Sequence, residues 1–418
     1  MSPIRIDFPR LQRDIEALSA IGRDADRGIH RMAFTEGDLA GRRWFRERIL
    51  EAGLEFYEDG AANLHGRLDW DGERPSVLMG SHLDTVPAGG PLDGALGVLV
   101  GLEVLRTVKE AGVPLRHPLE VVDFTDEEGR FGGLFGSQAV AGQLTPAMIH
   151  EARDLEGVTL AEAMASWGLD ANAALFARRP KDSIHAYLEL HIEQGPVLDR
   201  GDFSVGVVEA ITGLFKWDVQ LRGQTNHAGT TPMDMRVDSF QGLAEFAGEI
   251  ERILEEHGSP HSRATIGRVE LRPGAANTVP GYTGFSLDVR DTDPDTLANL
   301  ADAFRRTLSA MARRRQLMFE FQVLSEIPPQ RCDPGLVQLL SDKAQALDLK
   351  HLRLPSGAAH DAQIMATITR TGMIFVPSLE GRSHSSAEWT NWEDIERGAN
   401  LMLQAVLSLA ADGQEALQ

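Results

Sequence analysis

The chain has 418 residues, and its 41 basic and 62 acidic residues give a formal net charge of −21 at pH 7. A chain of this length normally folds into two or three domains of roughly 150 residues each. The hydrophobic fraction of 42% is typical of a globular protein and excludes a disordered one, and the negative charge argues against a nucleic-acid partner, because nucleic acids are polyanions.

A single cysteine, Cys332, excludes an internal disulfide and a zinc site built from several cysteines. The first residues lack the apolar run of a signal peptide, and no stretch reaches the roughly 18 apolar residues of a membrane span. These features predict a cytoplasmic protein that does not bind membranes.

The first half of the chain alternates apolar strand patterns with helical ones. Apolar residues at helical spacing predict two helices before residue 56. Short apolar runs then predict strands at 76–80, 119–124 and 184–190, with a helix at 94–110 between the first two. Strand, helix and strand in this order predict an α/β domain with a mostly parallel sheet and flanking helices.

From residue 213 the pattern changes to β-α-β-β-α-β, the order of the split ferredoxin-like unit. The predicted elements are strands at 215–221, 264–271, 284–290 and 318–324 and helices at 239–257 and 294–314. A helix at 335–348 and a strand at 372–377 then follow the alternating α/β pattern of the first region. The sequence therefore predicts one α/β domain from residues 1–212 and 330–418, and an inserted α+β domain at 213–329.

A histidine and an aspartate follow the predicted strand at 76–80. In an extended His-x-Asp the two side chains point the same way, so Asp84 could accept the second N–H of the His82 imidazole, as carboxylates do behind metal-bound histidines. Asp93 follows at a glycine-rich turn. Taken alone, the motif leaves open a strand-end histidine with a capping aspartate.

Three consecutive acidic residues, Asp126, Glu127 and Glu128, follow the strand at 119–124. They repel one another unless a cation lies nearby. One glutamate could bind a metal while its neighbour acts as a base. A solvated loop is the alternative that this segment leaves open.

Two further histidines, His191 and His384, also follow predicted strands. Histidine nitrogens and carboxylates together suit zinc, manganese or cobalt. Five such ligands are too many for one tetrahedral site, but they fit two metals about 3.5–4 Å apart that share a carboxylate. The five candidates are His82, Asp93, Glu128, His191 and His384.

At these motifs the sequence resembles dinuclear-metal hydrolases of the aminoacylase/carboxypeptidase type. More narrowly, it resembles the hydantoinase/carbamoylase branch: N-carbamoyl-L-amino acid hydrolases, allantoate amidohydrolases and β-ureidopropionases. The resemblance covers about residues 25–410, and the strings His-Ile-Glu-Gln-Gly-Pro (191–196) and Asn-His-Ala-Gly-Thr-Thr-Pro-Met (226–233) are specific for this branch. The other matching segments are Gly80–Val86, Leu92–Gly94, Glu127–Phe131 and Ser383-His384.

The resemblance implies two divalent metal ions per chain, which could be zinc, manganese or cobalt. It assigns His82 and His191 to one metal, Glu128 and His384 to the other, and Asp93 to both. Glu127 is the implied general base, and Asp84 is implied to orient His82.

The resemblance also implies that the inserted domain is a lid and dimerisation domain, with hinges near 210–214 and 327–333. In a homodimer, His227 is implied to reach the active site of the partner subunit and polarise the substrate carbonyl there. Asn277 and Arg290 are implied to bind the substrate carboxylate, which fits the bidentate pairing of arginine with carboxylates.

Gln194, Gly357 and Ala358 complete the implied substrate-binding residues. The loop at 356–361 reads Ser-Gly-Ala-Ala-His-Asp, where the branch usually has Ser-Gly-Ala-Gly-His-Asp. Ala359 therefore replaces a glycine that would let the backbone approach a ligand closely. We expect this change to affect the size of the substrate pocket or how tightly it binds the substrate, and not the metal chemistry.

The implied reaction is hydrolysis of the C–N bond of an N-carbamoyl-L-amino acid or a related ureido acid, giving the amino acid, carbon dioxide and ammonia. Allantoate amidohydrolase activity is the alternative. A peptidase or deacylase of the same fold is disfavoured by Gln194 and the string at 191–196. A non-enzymatic metal-binding protein is expected to lack a ligand or the base, and all six positions are present.

Overall fold

The computed structural model describes residues 4–25 and 28–412. The chain forms two compact units. One comprises the residues up to Glu209 and from Cys332 onward, and the other is Ala210–Arg331. The second unit is therefore one continuous stretch, whereas the first is built from two stretches separated in sequence.

In chain order the strands are β1 (Glu55–Glu58), β2 (Leu64–Leu68), β3 (Ser76–His82), β4 (Leu119–Phe124), β5 (Ile184–Ile192), β6 (Val205–Ile211), β7 (Gly213–Arg222), β8 (Asn226–His227), β9 (Arg263–Thr265), β10 (Val269–Arg272), β11 (Thr278–Val279), β12 (Tyr282–Asp291), β13 (Met318–Ile327), β14 (Gln330–Arg331), β15 (His351–Ser356) and β16 (Thr371–Val376).

The α-helices are α1 (Phe8–Ser19), α2 (Glu36–Glu51), α3 (Ala95–Glu110), α4 (Phe135–Ala141), α5 (Pro146–Glu151), α6 (Leu160–Ser166), α7 (Val197–Gly201), α8 (Ser239–Gly248), α9 (Ile250–His257), α10 (Pro294–Arg314), α11 (Pro334–Ala346), α12 (Asp361–Met365) and α13 (Trp392–Ala410). Short 3₁₀ helices lie at Ala171–Phe176, Lys181–Ser183, Met233–Met235 and Leu379–Gly381. Among the residues that the structure describes, no helix combines the length and the apolar character needed to cross a membrane.

The larger sheet has the strand order β1-β2-β4-β3-β5-β16-β6-β14, with β15 beside β6. Its four central strands, β4, β3, β5 and β16, run parallel, and antiparallel strands flank them. Every residue of β3, β4 and β16 is buried, as expected for parallel strands covered on both faces. Helices α3, α11 and α13 pack on this sheet, and the expected α/β fold with a mainly parallel sheet is confirmed.

The carboxyl ends of the central strands meet at one edge of this sheet. His82 at the end of β3 is paired with Phe124 at the end of β4, and His191 near the end of β5 is paired with Phe375 near the end of β16. The segments that leave these four strands therefore start side by side. In open α/β sheets this edge is where ligands bind.

The second unit has an antiparallel sheet of order β10-β12-β7-β13, with β9 also paired to β12. Helices α8 and α10 pack on this sheet, and α9 packs beside them. The core between them contains Trp217, Val219, Phe246, Phe285 and Phe304. Alternate residues of β7 on the opposite face are polar, which is typical of a sheet with one covered face.

Two predicted elements of this unit are interrupted in the structure. The helix expected at 239–257 is broken into α8 and α9 at Glu249, directly after Gly248, a residue with low helix propensity. The strand expected at 264–271 is divided into β9 and β10, which both pair with β12. The remaining elements of the unit lie within three residues of their predicted bounds.

Candidate metal centre and active site

The edge at which the parallel strands end gathers the predicted metal ligands. Ligand atoms of His82, Asp93 and His191 lie within 4.8 Å of one another, and so do those of Asp93, Glu128 and His384. His82, Asp93 and His191 are buried, whereas the His384 side chain is 52% exposed. The structure thus forms two neighbouring groups of ligands, one enclosed and one open to solvent.

Asp93 belongs to both groups and presents a different oxygen to each. Its Oδ1 lies 3.1 Å from His191 Nε2 and 3.9 Å from His82 Nε2, while its Oδ2 lies 3.3 Å from His384 Nε2. Gln194 Nε2 also donates to Oδ2, at 2.8 Å. This carboxylate is therefore placed between the two groups and joins them.

The two buried histidines present the same ring nitrogen to the centre. His82 Nδ1 lies 3.0 Å from the Asp84 carbonyl oxygen, and His191 Nδ1 lies 2.9 Å from the Ile192 carbonyl oxygen. An Nδ1–H that donates to a carbonyl leaves the lone pair of a neutral imidazole on Nε2, the atom that would face a metal; at His191 the Gly94 N–H donates to this nitrogen at 3.2 Å. Gly94 borders both rings: its φ is +60°, and a Cβ there would lie 2.4 Å from the His82 ring, so only glycine fits.

Asp84 supports the site in a way that differs from the sequence-based expectation. Its carboxylate Oδ1 is 3.7 Å from His82 Nδ1, too far for a hydrogen bond, and the backbone carbonyl holds the ring instead. The carboxylate accepts the backbone N–H groups of Glu127 and Glu128 at 3.2 and 3.1 Å. The reason is that β3 ends at His82, so the strand alternation on which the expectation rested does not reach Asp84.

The two glutamates point to different parts of the centre. Glu127 Oε2 lies 3.4 Å from His82 Nε2, and Glu128 Oε2 lies 3.6 Å from His384 Nε2. Burial raises the pKa of Glu127, and the charge of Glu128 raises it further. Burial and the charge of Asp93 likewise raise the pKa of Glu128, whose Oε1 is buried without a hydrogen-bond partner.

These surroundings fit a divalent cation. An orphaned carboxylate oxygen, crowded acidic groups with raised pKa values and two buried imidazoles are stabilised when a cation neutralises the site. Burial lowers the pKa of His82 to about 4, so its imidazole is neutral at physiological pH, as a metal ligand must be. Burial also lowers the pKa of His191, but Asp93 outweighs burial and raises it to about 9, and a cation would replace that proton.

A buried polar layer behind the ligands was missed by sequence reasoning. Glu189 Oε1 accepts the Ser81 hydroxyl at 2.8 Å, and its Oε2 accepts the Tyr187 hydroxyl at 3.1 Å and the Ala362 N–H at 2.9 Å. The available signal was a charged residue inside the otherwise largely apolar strand β5. This network connects β3, β5 and α12 beneath the candidate ligands.

The peptide between His82 and Asp84 is fixed from both sides. The Leu83 N–H donates to Asp123 Oδ1 at 2.8 Å, and the Leu83 carbonyl accepts the Arg31 Nε–H at 3.0 Å. Arg31 is fully buried, and burial lowers its pKa to about 10. Sequence reasoning singled out neither Asp123 nor Arg31.

The loop at 356–361 lies behind His191. His360 is buried with its ring 4.6 Å from the His191 ring, edge to face, and its Nε2 lies 2.8 Å from the Ser356 hydroxyl. Gly357 is exposed and Ala358 is half-buried. Ala359 does not have a positive φ, so its Cβ causes no backbone strain. Compared with a glycine at this position, alanine therefore differs only by the space that its methyl group fills.

In the second unit, His227 and Asn277 are neighbours. β8 and β11 form a two-stranded ribbon in which His227 is paired with Thr278, and Ala228 N–H donates to the Asn277 carbonyl at 2.9 Å. Gly229 N–H donates to His227 Nδ1 at 3.0 Å. Both side chains are exposed.

Arg290 lies at the other end of β12 from this ribbon. It is paired with Leu214, whereas Tyr282 is paired with Arg222. Eight strand residues span about 26 Å at roughly 3.3 Å per residue, and Thr278 precedes Tyr282 by only four residues. The structure therefore separates Arg290 from Asn277 within one chain, although the resemblance implied that both bind one carboxylate. The Arg290 Nε donates to Asp288 at 2.9 Å.

Comparison with known proteins identifies the family. Residues 78–408 match the model of peptidase family M20/M25/M40. The chain belongs to this family. The chain is 40% identical over 411 residues to an N-carbamoyl-L-amino acid amidohydrolase of Geobacillus stearothermophilus, covering 97% of this chain and 99% of the relative.

A second relative, an allantoate amidohydrolase of Escherichia coli, is 36% identical over 406 residues, which is 96% of this chain and 97% of the relative. The crystal structure of an amidase of the hydantoinase/carbamoylase family from Burkholderia multivorans superposes with a TM-score of 0.90 at 34% identity, covering 98% of this chain and 99% of that one. The family assignment made from the sequence motifs is confirmed.

Proposed function

We propose that the protein hydrolyses the C–N bond of an N-carbamoyl-L-amino acid or a related ureido acid, consuming one water and releasing the amino acid, carbon dioxide and ammonia. The observation that carries this function is the Asp93 carboxylate joining two groups of metal ligands with Glu127 beside them. The high-coverage similarity to an N-carbamoyl-L-amino acid amidohydrolase supports the substrate class.

The residues that would hold the metals divide as the geometry groups them: His82 and His191 on the enclosed side, Glu128 and His384 on the open side, and Asp93 between. We infer two divalent ions, zinc, manganese or cobalt, since each group offers nitrogen and carboxylate ligands. When bound, such ions supply Lewis acidity for polarising a carbonyl and activating water.

Glu127 is the proposed general base. Its buried carboxylate takes a proton from the attacking water at Oε2 and delivers it to the leaving nitrogen. Its raised pKa suits the first transfer, because a carboxylate that holds a proton more firmly is a better acceptor. Asp84 positions this base by binding the backbone N–H groups of Glu127 and Glu128.

Substrate binding is assigned to Gln194, Gly357 and Ala358 of the first unit and to His227, Asn277 and Arg290 of the second. Gln194 is held at the centre by Asp93 and Ser383. His227 would donate to the substrate carbonyl and stabilise the charge that develops there. Arg290 supplies a bidentate partner for the substrate carboxylate.

We further propose that the active form is a homodimer in which the second unit serves as lid and dimerisation domain. The separation of Arg290 from the His227–Asn277 ribbon supports this, because two chains can bring both ends of the unit to one substrate where a single chain does not bring them together. The edge strand β13 exposes Met318, Val323 and Leu324, an apolar edge available for pairing with a second copy. A cytoplasmic location stays a prediction.

Allantoate is the alternative substrate, supported by the similarity to an allantoate amidohydrolase over nearly the whole chain. It also combines a ureido group with a carboxylate, so the same residues would serve it. A dipeptide or an N-acyl amino acid has weaker support.

The deciding experiment is ammonia release by chelator-stripped protein reloaded with manganese or zinc. The panel consists of N-carbamoyl-L-amino acids, N-carbamoyl-β-alanine and allantoate, with dipeptides and N-acetyl amino acids followed by amine release. Metal-dependent ammonia from an N-carbamoyl-L-amino acid supports the proposal, and ammonia from allantoate alone selects the alternative. Turnover of dipeptides or acyl amino acids only would contradict the proposed reaction.

A further inference from the structure

A buried glutamate without a role in the proposed chemistry contacts two of the three segments that carry the group Asp93, Glu128 and His384. Glu388 is 2% exposed and follows His384 by four residues. Its Oε1 accepts the backbone N–H of Leu92 at 2.9 Å and that of Asp93 at 3.0 Å. Its Oε2 lies 3.2 Å from the Ser383 hydroxyl oxygen.

Ser383 extends this contact to the Asp93 side chain. Its hydroxyl lies 3.0 Å from Asp93 Oδ2, the oxygen that faces His384. Glu388 therefore holds the backbone of Asp93 directly and its carboxylate through Ser383. The loop that carries Asp93 is in turn shaped around Glu388, because a Cβ on Gly90 would lie 2.3 Å from the Glu388 carboxyl group.

We propose that Glu388 is a positioning residue that sets the Asp93 loop against the His384 segment and so fixes the geometry of the group Asp93, Glu128 and His384. This inference rests on the proposed function only in taking that group as a metal site. Residues that orient metal ligands through hydrogen bonds typically contribute 10- to 100-fold to metal affinity. Glu388 touches no substrate or metal in this role.

The test is titration of the full-length, chelator-stripped protein with manganese and with zinc, in competition with a chromophoric chelator and without substrate. Two metals should bind in two steps of different affinity. Glu388→Ala should lower the affinity of the lower-affinity step by about 10- to 100-fold, because two buried N–H groups and Ser383 lose their partner. Glu388→Gln should recover most of this loss. Its amide oxygen can accept both N–H groups, and its amide nitrogen can donate to Ser383 while Ser383 donates to Asp93.

Glu103 provides a matched control. It is also a fully buried glutamate that accepts a backbone N–H, that of Asp7 at 3.0 Å, but its hydrogen bonds and ion pairs are with residues outside both ligand groups. Glu103→Ala should lower the thermal unfolding temperature and leave metal affinity unchanged. Equal losses of affinity in Glu103→Ala and Glu388→Ala would show a general stability effect and overturn the positioning role.

The remaining outcomes are also decisive. Wild-type affinity in folded Glu388→Ala, or a Glu388→Gln variant no better than the alanine, contradicts the proposal. If Glu388→Ala does not fold, Ser383→Ala decides: a several-fold loss supports the role, and unchanged affinity overturns it. The ammonia assay tests the proposed function separately. Failure of every ureido substrate would refute that function, and the metal titration would still decide the positioning role of Glu388.

Discussion

The candidate residues of the two units are held in different ways. In the first unit, His82, Asp93 and His191 are buried and each is fixed by hydrogen bonds to backbone or side-chain partners. In the second, His227 and Asn277 are exposed on a two-stranded ribbon, and Arg290 lies at the far end of β12. The candidate metal centre is thus organised within one unit, whereas the second unit does not assemble its candidate residues by its own fold.

The largest effect is expected from removing the base in the first unit. Glu127→Ala should lower turnover by about 10²- to 10⁴-fold without loss of metal, because the five ligands stay in place. Steady-state kinetics together with metal analysis of the purified variant check this. Glu128→Ala is the matched control, since it removes a ligand and should lower metal content. Metal loss in the Glu127 variant would mean that the two glutamates have been assigned to each other's roles.

Mixing inactive variants tests whether the second unit serves a partner. If His227 acts across a dimer, Glu127→Ala mixed with His227→Ala should regain about one quarter of wild-type activity, because half of the dimers are mixed and each has one complete site. Arg290→Ala should likewise complement His227→Ala.

Pairs that fail to complement make this test sharper. Asn277→Ala mixed with His227→Ala should stay inactive, because both residues come from the same end of the same unit. Full complementation between these two, or none between Glu127→Ala and His227→Ala in a preparation shown to exchange subunits, would refute the shared site.

Core truncations should separate the two units energetically. Phe246 is fully buried in the second unit between Phe285 and Phe304, so Phe246→Ala should destabilise that unit by about 3–5 kcal/mol while metal binding persists. Phe124→Ala, in β4 of the first unit, should lower both stability and metal affinity. Denaturant unfolding and metal titration of the pair check this, and loss of metal in the Phe246 variant would contradict the independence of the centre.

A smaller effect is expected on the pH dependence of stability, through His65, a histidine of the first unit that is not a candidate ligand. Burial lowers the pKa of His65, but Asp59 and Glu120, 3.6 and 3.1 Å away, outweigh burial and raise it above 6.5. The protonated ring then stabilises the folded state below pH 6.5, and this contribution disappears as pH rises through the folded-state pKa. The difference in unfolding temperature between wild type and His65→Gln should be largest near pH 6 and shrink at higher pH. A constant difference would refute the raised pKa.

Local signals explain why much of the fold was predictable. Helix α10 has its predicted bounds, and in the structure Asp293 caps its first turn and Pro294 begins it. Strand β13 was predicted to end at residue 324 but continues to Ile327 past an irregularity between Val323 and Ser325. No apolar pattern reports such a shift, since it depends on the pairing with β7.

The candidate ligands were predictable because each lies at the end of a parallel strand or in the segment that follows it, and parallel strands end at one edge. The residues that hold these candidate ligands in place could not be predicted in this way. The Asp84 carboxylate accepts the backbone N–H groups of Glu127 and Glu128 because β3 ends at His82. The tertiary structure decides where this strand ends. Glu388 binds backbone groups 295 and 296 residues earlier in the chain, and nothing local in the sequence connects the two segments.

The buried Arg31 guanidinium has a consequence for how the protein can be shortened. It precedes the first strand, and it reaches the carbonyl of the residue that follows His82. A fragment that begins at the first strand would keep all five candidate ligands yet lose the cation that faces Asp84 and Asp123. The amino-terminal segment is therefore part of the scaffold of the candidate site, and an N-terminal tag or truncation should be placed before α1.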